Sequence, residues 1–415
     1  MGQAYKPLRG IRVLELATQM AAPCCGRHLA DWGAEVIRIE KKTGDTFRAY
    51  PPSMGIPNKQ DCNPLFDNVN AGKRGIVIDI KTPGGMEIMH KLLAQSDVFL
   101  TNNRPKALQK KGLDYETLKE QYPGLVYARV SSYGKEGPKA DRPGQDTIAF
   151  WVSTGFSADM AVKTEHSYPV YASSGTGDFV TGIGLAFAIV CALYNKRETG
   201  MGDYVENSLF GMGLWCNSNY NIGCMKRYSG KMPKTREMSA PGGSPYLCKD
   251  GEWIMCAVVD FNAWPRFAEA VGKPEWVAEP YGSRIGQRSI EVRKYMIEEL
   301  ERVFLTKTSK EWDEILTQAD IVHDILAHFG DFEHSEQARA NGFAFDHTYP
   351  NGHETVLIRP SMTSERMGIP AFIPGPMVGE DTDDVLAELG YSKEQISALE
   401  ATGAAWQIDK SLYNK

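Results

Sequence analysis

The stretch Arg12–Glu40, RVLELATQMAAPCCGRHLADWGAEVIRIE, decides how this chain is read. Its opening, Arg12 to Leu16, and its close, Glu35 to Glu40, are short β-rich runs, and Cys24 to Trp32 between them has helical patterning. Strand, helix and strand in that order make a stacked βα unit. The alternation continues outward. Gly75 to Ile80 and Asp97 to Leu100 read as further strands around a helix over Gly84 to Ala94, and a helix over Tyr115 to Gln121 leads into a strand over Leu125 to Val130. The fold class is therefore α/β, with a mostly parallel, Rossmann-like sheet whose ligand lies beyond the carboxyl ends of its strands.

The loop after the first strand, Ala17-Thr18-Gln19-Met20-Ala21-Ala22-Pro23, has no GxGxxG, which disfavours a nicotinamide or flavin dinucleotide. A P-loop is also disfavoured: Gly72-Lys73 is followed by Arg74, where magnesium needs a hydroxyl. Further on, Lys226 to Pro245 is rich in Gly, Pro, Ser and Lys and reads as a connection. A strand over Trp253 to Val259 and helices over Asn262 to Val271, Ser289 to Phe304 and Ser309 to Gln318 then form a smaller α+β unit. The tail returns with a strand near Thr355 to Ile358 and a terminal helix, Glu380 to Leu389. The expected division is a large domain from residues 1–215, a small one over 225–335, and a return segment, 340–415, completing the first.

Composition narrows the function. At 415 residues, 42% apolar and 24% charged, the chain is an ordinary globular sequence of two or three domains. Its net charge of −6 argues against general nucleic-acid binding. The eight cysteines show no CxxC spacing and read as reduced thiols. The opening residues lack an apolar signal core, and the longest apolar run, Phe179 to Tyr194, is short for a membrane span, so a cytoplasmic protein without a membrane partner is expected. Among the eight histidines, His323 and His328 are five apart, which does not align two ligands on one helix face; no metal is expected.

The residue with most chemical promise is Asp178, in Ser174-Gly175-Thr176-Gly177-Asp178-Phe179 ahead of that apolar run. A carboxylate there serves as a helix cap. It also suits a nucleophile, since a helix amino end keeps it ionised and offers N–H groups to an oxyanion. Gly175 and Gly177 would let a thioester approach the backbone closely.

Around Asp178 the chain resembles the class III coenzyme A transferases, the family of formyl-CoA and carnitine CoA transferases. The matching blocks are Leu8 to Leu16, Ala22-Pro23, Leu29 to Glu40, Gly72 to Arg74, Asp79 to Pro83, Asn102 to Pro105, Ser131 to Pro138, Gly175 to Gly182, Thr199 to Gly202, Gly242 to Tyr246 and Asp250-Gly251, in family order. The resemblance implies an enzyme with CoA thioesters as substrates, no tightly bound cofactor, and an interlocked homodimer. It implies that Asp178 is the acyl carrier, passing through an anhydride, an aspartyl-CoA thioester and a second anhydride. It assigns CoA contacts to Lys41, Lys73, Asn102, Arg104, Lys110, Lys111 and Tyr133, with Arg38 and Arg74 as further cations, and a closing segment to Gly242 and Gly243. Asn103 departs from the family's aromatic at that position and cannot stack on adenine.

Segments Leu113 to Glu120, Lys307 to Asp313 and Ala319 to Ile321 are similar to the branch acting on (R)-2-hydroxy acids such as 2-hydroxyisocaproate and phenyllactate. Formyl, oxalyl and carnitine-type acyl groups are alternatives within the family. The related α-methylacyl-CoA racemases pair the aspartate with a histidine in a block matching Arg142-Pro143-Gly144-Gln145-Asp146. Here that position is Gln145, an amide that exchanges no proton at neutral pH. Trp151, Phe156 and Met160 are candidates for an apolar acyl pocket, with core packing as the alternative.

Overall fold

The computed structural model describes residues 5–50, 54–160, 169–170, 172–228, 239–258, 260–282 and 288–413. Its main sheet is covered on both faces, which is why five of its six parallel strands are mostly buried. The six are β1 (Arg12–Leu16), β2 (Glu35–Glu40), β3 (Arg74–Ile78), β4 (Val98–Thr101), β5 (Val126–Ser131) and β6 (Tyr204–Ser208). All pair in parallel in the order β3-β2-β1-β4-β5-β6, and a short strand, Ala405–Trp406, closes the β3 edge antiparallel. The order reverses between β1 and β4. A crevice opens at the carboxyl ends of the strands at such a point.

One face of the sheet is covered by the helices Pro83–Ala94, Tyr115–Gln121, Thr382–Glu388 and Lys393–Ala401, through Ile88, Leu92, Leu118, Val385 and Ile396. The other is covered by the helices Ala21–Asp31 and Thr176–Thr199, through Leu29, Leu185, Ile189 and Leu193. These two helices approach closely at Gly182, where an added Cβ would lie 2.6 Å from the Ala21 carbonyl oxygen and 2.9 Å from Cys24 Cβ. Among the pieces not legible in the sequence are β6, the helix Lys393–Ala401 and the closing strand. The β6 strand, YVENS, is polar and half-buried throughout, so it lacks the apolar signal of its neighbours.

Charged side chains from β1, β2 and the turn before β3 form a buried network. Glu15 on β1 accepts from Arg38 Nη1 at 2.7 Å and from Lys73 Nζ at 2.8 Å, with all three side chains fully buried. Arg38 also bonds Asp45 and Asn70. Such a network resists the loss of any one member, because the charge left behind cannot recover its water.

The chain divides into two compact units: Met1–Phe156, Ala172–Ser218 and Ser335–Lys415 form the first, and Ser157–Tyr171 and Asn219–His334 the second. The second has a three-stranded antiparallel sheet (Pro245–Leu247, Trp253–Cys256, His323–Ile325) under the helices Trp264–Ala270, Ile290–Phe304 and Ser309–Gln318. Tyr246 stacks on Phe304 at 4.8 Å between ring centres, and Trp264 and Trp276 are buried beside them. Of the expected connection Lys226 to Pro245, residues 229–238 lie outside the described residues, as does His166.

Candidate active site

The long helix Thr176–Thr199 begins at Gly175, whose φ of +98° falls in the left-handed region that favours glycine. At Gly177 the demand is space: an added Cβ would sit 2.1 Å from Asp146 Oδ1 and 2.4 Å from Phe150 Cγ. The two glycines therefore serve the local backbone and its packing. Asp178 is the third residue of the helix and makes no capping bond. The amino end is held instead by Asp146, whose Oδ2 accepts from the Gly175 N–H at 2.7 Å. Asp146 is 3% exposed and reaches this position because Arg142 to Asp146 is docked on the exit of β5, where Ser132 Oγ donates to the Gly144 carbonyl at 2.7 Å.

This changes the electrostatics expected from sequence. Burial, followed by the like charge of Asp146, pushes the Asp178 carboxyl up from 3.8 to about 7. The helix end does not keep it ionised as expected, because a second carboxylate occupies the amides. A carboxylate of that basicity is a stronger nucleophile than an exposed aspartate whenever it is ionised. The nearest thiol does not compete: burial pushes Cys24 up to about 12, and its Sγ contacts the Phe179 carbonyl at 3.7 Å.

Asp178 faces a cavity of about 1030 Å³ at the carboxyl ends of β1, β4 and β5, lined only by residues of the first unit. Asn102, Arg104 and Lys110 line the same cavity, so four of the sequence-derived candidates converge there. Asn102 also joins the two loops at the strand-order reversal: its Oδ1 accepts from Thr18 N at 3.1 Å, and its Nδ2 donates to Thr18 O at 2.6 Å. Gln19 lines the wall with a left-handed backbone, φ +65°, held by an N–H donated to Asp45 Oδ2 at 3.0 Å.

Other candidates go elsewhere. Lys73 is no free cation: its Nζ donates to Glu15, to the Pro23 carbonyl and to Asn70, so its three donors are occupied in the buried network. Arg38 belongs to that network, and Arg74 pairs with Glu35 and Glu388. Lys41, Lys111 and Tyr133 do not line the cavity; Tyr133 packs beside Phe210 and under the Lys139 ammonium. Trp151 and Phe156 join Phe150 in an aromatic cluster, and the apolar lining includes Met20, Phe47, Tyr50, Val130, Ile148 and Leu209. Met160 is exposed and in the second unit. Gly242 and Gly243 also belong to that unit, on a turn where an added Gly242 Cβ would lie 2.9 Å from Val258 Cβ.

Gln19, Arg129 and Asp146 were missed as site residues. The signal for Asp146 was its place beside Gln145 in a block already singled out. Nothing local marks Arg129, which sits inside a strand.

Known proteins resemble the chain along nearly its whole length. The profile of CoA-transferase family III matches residues 8–382. An (R)-2-hydroxy-4-methylpentanoate CoA-transferase of Clostridioides difficile is 36% identical, over 94% of this chain and 97% of its own. A cinnamoyl-CoA:phenyllactate CoA-transferase of Clostridium sporogenes is 37% identical, over 94% and 95%. Among solved structures, Rv3272 of Mycobacterium tuberculosis superposes with a TM-score of 0.81 at 24% identity, over 93% of this chain and 100% of that one. A CaiB/BaiF family protein of Brucella suis gives 0.76 at 26% identity, with the same coverage.

Proposed function

The chain belongs to CoA-transferase family III, and from that premise we infer that Asp178 is the acyl carrier in moving CoA from an acyl-CoA to an (R)-2-hydroxy acid. The observation that supports this most is a single cavity holding both a desolvated carboxyl raised to about 7 and a cationic wall of Arg104 and Lys110. CoA, with its diphosphate and 3′-phosphate, needs such a wall. The choice of acid rests on the two relatives named above, which act on 2-hydroxy-4-methylpentanoate and phenyllactate.

The cycle conserves the acyl energy at each step. Ionised Asp178 attacks the thioester carbonyl, and the C–S bond breaks to release CoA thiolate and leave a mixed anhydride. The thiolate then attacks the aspartyl carbonyl, expelling the donor carboxylate and forming an aspartyl-CoA thioester. The acceptor carboxylate attacks that carbonyl, frees the thiolate and makes a second anhydride. Attack of thiolate on the acceptor carbonyl yields the new acyl-CoA and restores Asp178. Water must be kept from the anhydrides. Racemisation would need a base at Gln145, which lines the cavity as an amide.

The same proposal includes a homodimer. Ile183, Phe187, Val190 and Tyr194 recur at helical spacing on the outer side of Thr176–Thr199, and Phe187 and Tyr194 are 73% and 70% exposed. The helix is 24 residues long, longer than the apolar run suggested, and by length and composition it passes for a membrane span. Its inner side packs on the sheet, and its first turn holds Asp178, so the outer stripe suits a second copy of the chain.

The deciding experiment crosses short acyl-CoA donors with 2-hydroxy acids, oxalate and carnitine, and reads product acyl-CoA by mass spectrometry. Exchange into a 2-hydroxy acid, abolished by Asp178→Ala, is expected. Substantial turnover by that variant would overturn the acyl-carrier role.

A further inference from the structure

Arg129 occupies an unusual place. It is 8% exposed, lies two residues from the carboxyl end of β5 and lines the cavity. Its Nε has no hydrogen-bond partner among the described residues. An isolated structural ion pair would be the ordinary explanation, with Glu206 directly opposite on β6. The geometry does not fit that role. Arg129 Nη1 is 3.7 Å from Glu206 Oε2, too long for a hydrogen bond. The Glu206 oxygens are already taken by the hydroxyls of Ser131 and Tyr204. Arg129 also hydrogen-bonds the Tyr204 side chain, but its buried Nε–H still lacks an acceptor, which is costly until one arrives.

We propose that Arg129 is a phosphate ligand for the CoA substrate, held in the sheet as part of the cavity wall and left unsatisfied until the nucleotide binds. This rests on the CoA-transfer function inferred above. A guanidinium fork matches two phosphate oxygens at once, which a lysine does not. Arg129 lies at the cationic end of the cavity, close enough to Asp141, the partner of Lys106 at 2.8 Å, to help lower that carboxyl. Arg104, Lys106 and Lys110 line the same cavity, a group of cations suited to a polyanionic phosphate end. The distal phosphates, and not the reacting acyl carboxylate, are therefore its ligand.

The test is titration calorimetry of the full chain with CoA, 3′-dephospho-CoA and an acyl-pantetheine thioester, comparing the unaltered protein with Arg129→Met and Arg129→Lys. Arg129→Met is expected to weaken CoA binding about 10- to 100-fold, the range for one charge-assisted phosphate contact, and Arg129→Lys to lose less. If the loss disappears with 3′-dephospho-CoA, the ligand is the 3′-phosphate; if it persists there, it is the diphosphate. CoA binding unchanged in a folded variant, or an equal loss toward the phosphate-free thioester, would overturn the proposal. Should Arg129→Met fail to fold, Arg129→Lys decides, and undiminished CoA affinity in it counts against the proposal. If the unaltered protein binds none of the CoA compounds, it is the CoA-transfer function that fails.

Discussion

Asp178→Asn should make the protein more stable and at the same time inactive, and the gain should depend on pH. The folded protein holds this carboxyl at about 7, against 3.8 for an ordinary aspartate. A raised value means that the folded state prefers the protonated form. Below about pH 4 both states are protonated and nothing is lost; as pH rises from about 4 to about 7 the unfolded chain ionises freely and the folded one cannot, so stability falls, then levels off. At about 1.4 kcal/mol per pH unit, the full cost approaches ~4 kcal/mol at pH 8 and is only ~1.6 kcal/mol at pH 5. Asparagine has the same shape and no charge. Its own steric and hydrogen-bond terms are equal at both pH values and cancel in the comparison. Amide hydrogen exchange in Thr176–Thr199 measures this, with variant and unaltered protein compared at each pH so that intrinsic rates cancel. The ratio of protection should favour the variant by about 50- to 100-fold more at pH 8 than at pH 5. A ratio independent of pH would refute the desolvated carboxyl, and so would one that reverses.

Three further outcomes follow from the same geometry. Asp146→Asn keeps an acceptor for the Gly175 N–H but removes the like charge, so the acid limb of the kcat/KM profile should move to lower pH; an unmoved limb would show that burial alone raises Asp178. Lys73→Met should cost about 3–5 kcal/mol by leaving Glu15 under-partnered, lowering Tm by roughly 10 °C, with CoA affinity of the folded protein within about twofold. A tenfold loss of affinity at unchanged Tm would instead make Lys73 a ligand. If the proposed dimer forms through this stripe, Phe187→Asp should leave a monomer in light scattering at micromolar protein, and a dimer that survives the added charge would place the interface elsewhere.

Much of the fold was legible because its determinants are local. β1 and β2 follow the runs read from the sequence, and Tyr115–Gln121 and Ser309–Gln318 match their helical patterns residue for residue. Where the local signal was weak, as in the polar β6 strand or the two-residue Ala405–Trp406, the element was missed; both form by pairing with strands far away in sequence.

The site divides along the same line. Sequence by itself determined the parallel α/β architecture, the crevice beyond its strands and the prominence of Asp178, since periodicity, turn residues and ordered motifs are properties of neighbours along the chain. Only the tertiary structure decided what each charge does. Lysine and aspartate look alike at every position in a sequence, but their roles depend on burial and on partners contributed by distant segments. Lys73 became a buried partner of Glu15, fifty-eight residues away in sequence. Asp146 took the helix end, Arg129 was left with an unmet donor in the cavity wall, and the Asp178 carboxyl rose because the dielectric and the neighbouring charge around it are set by packing.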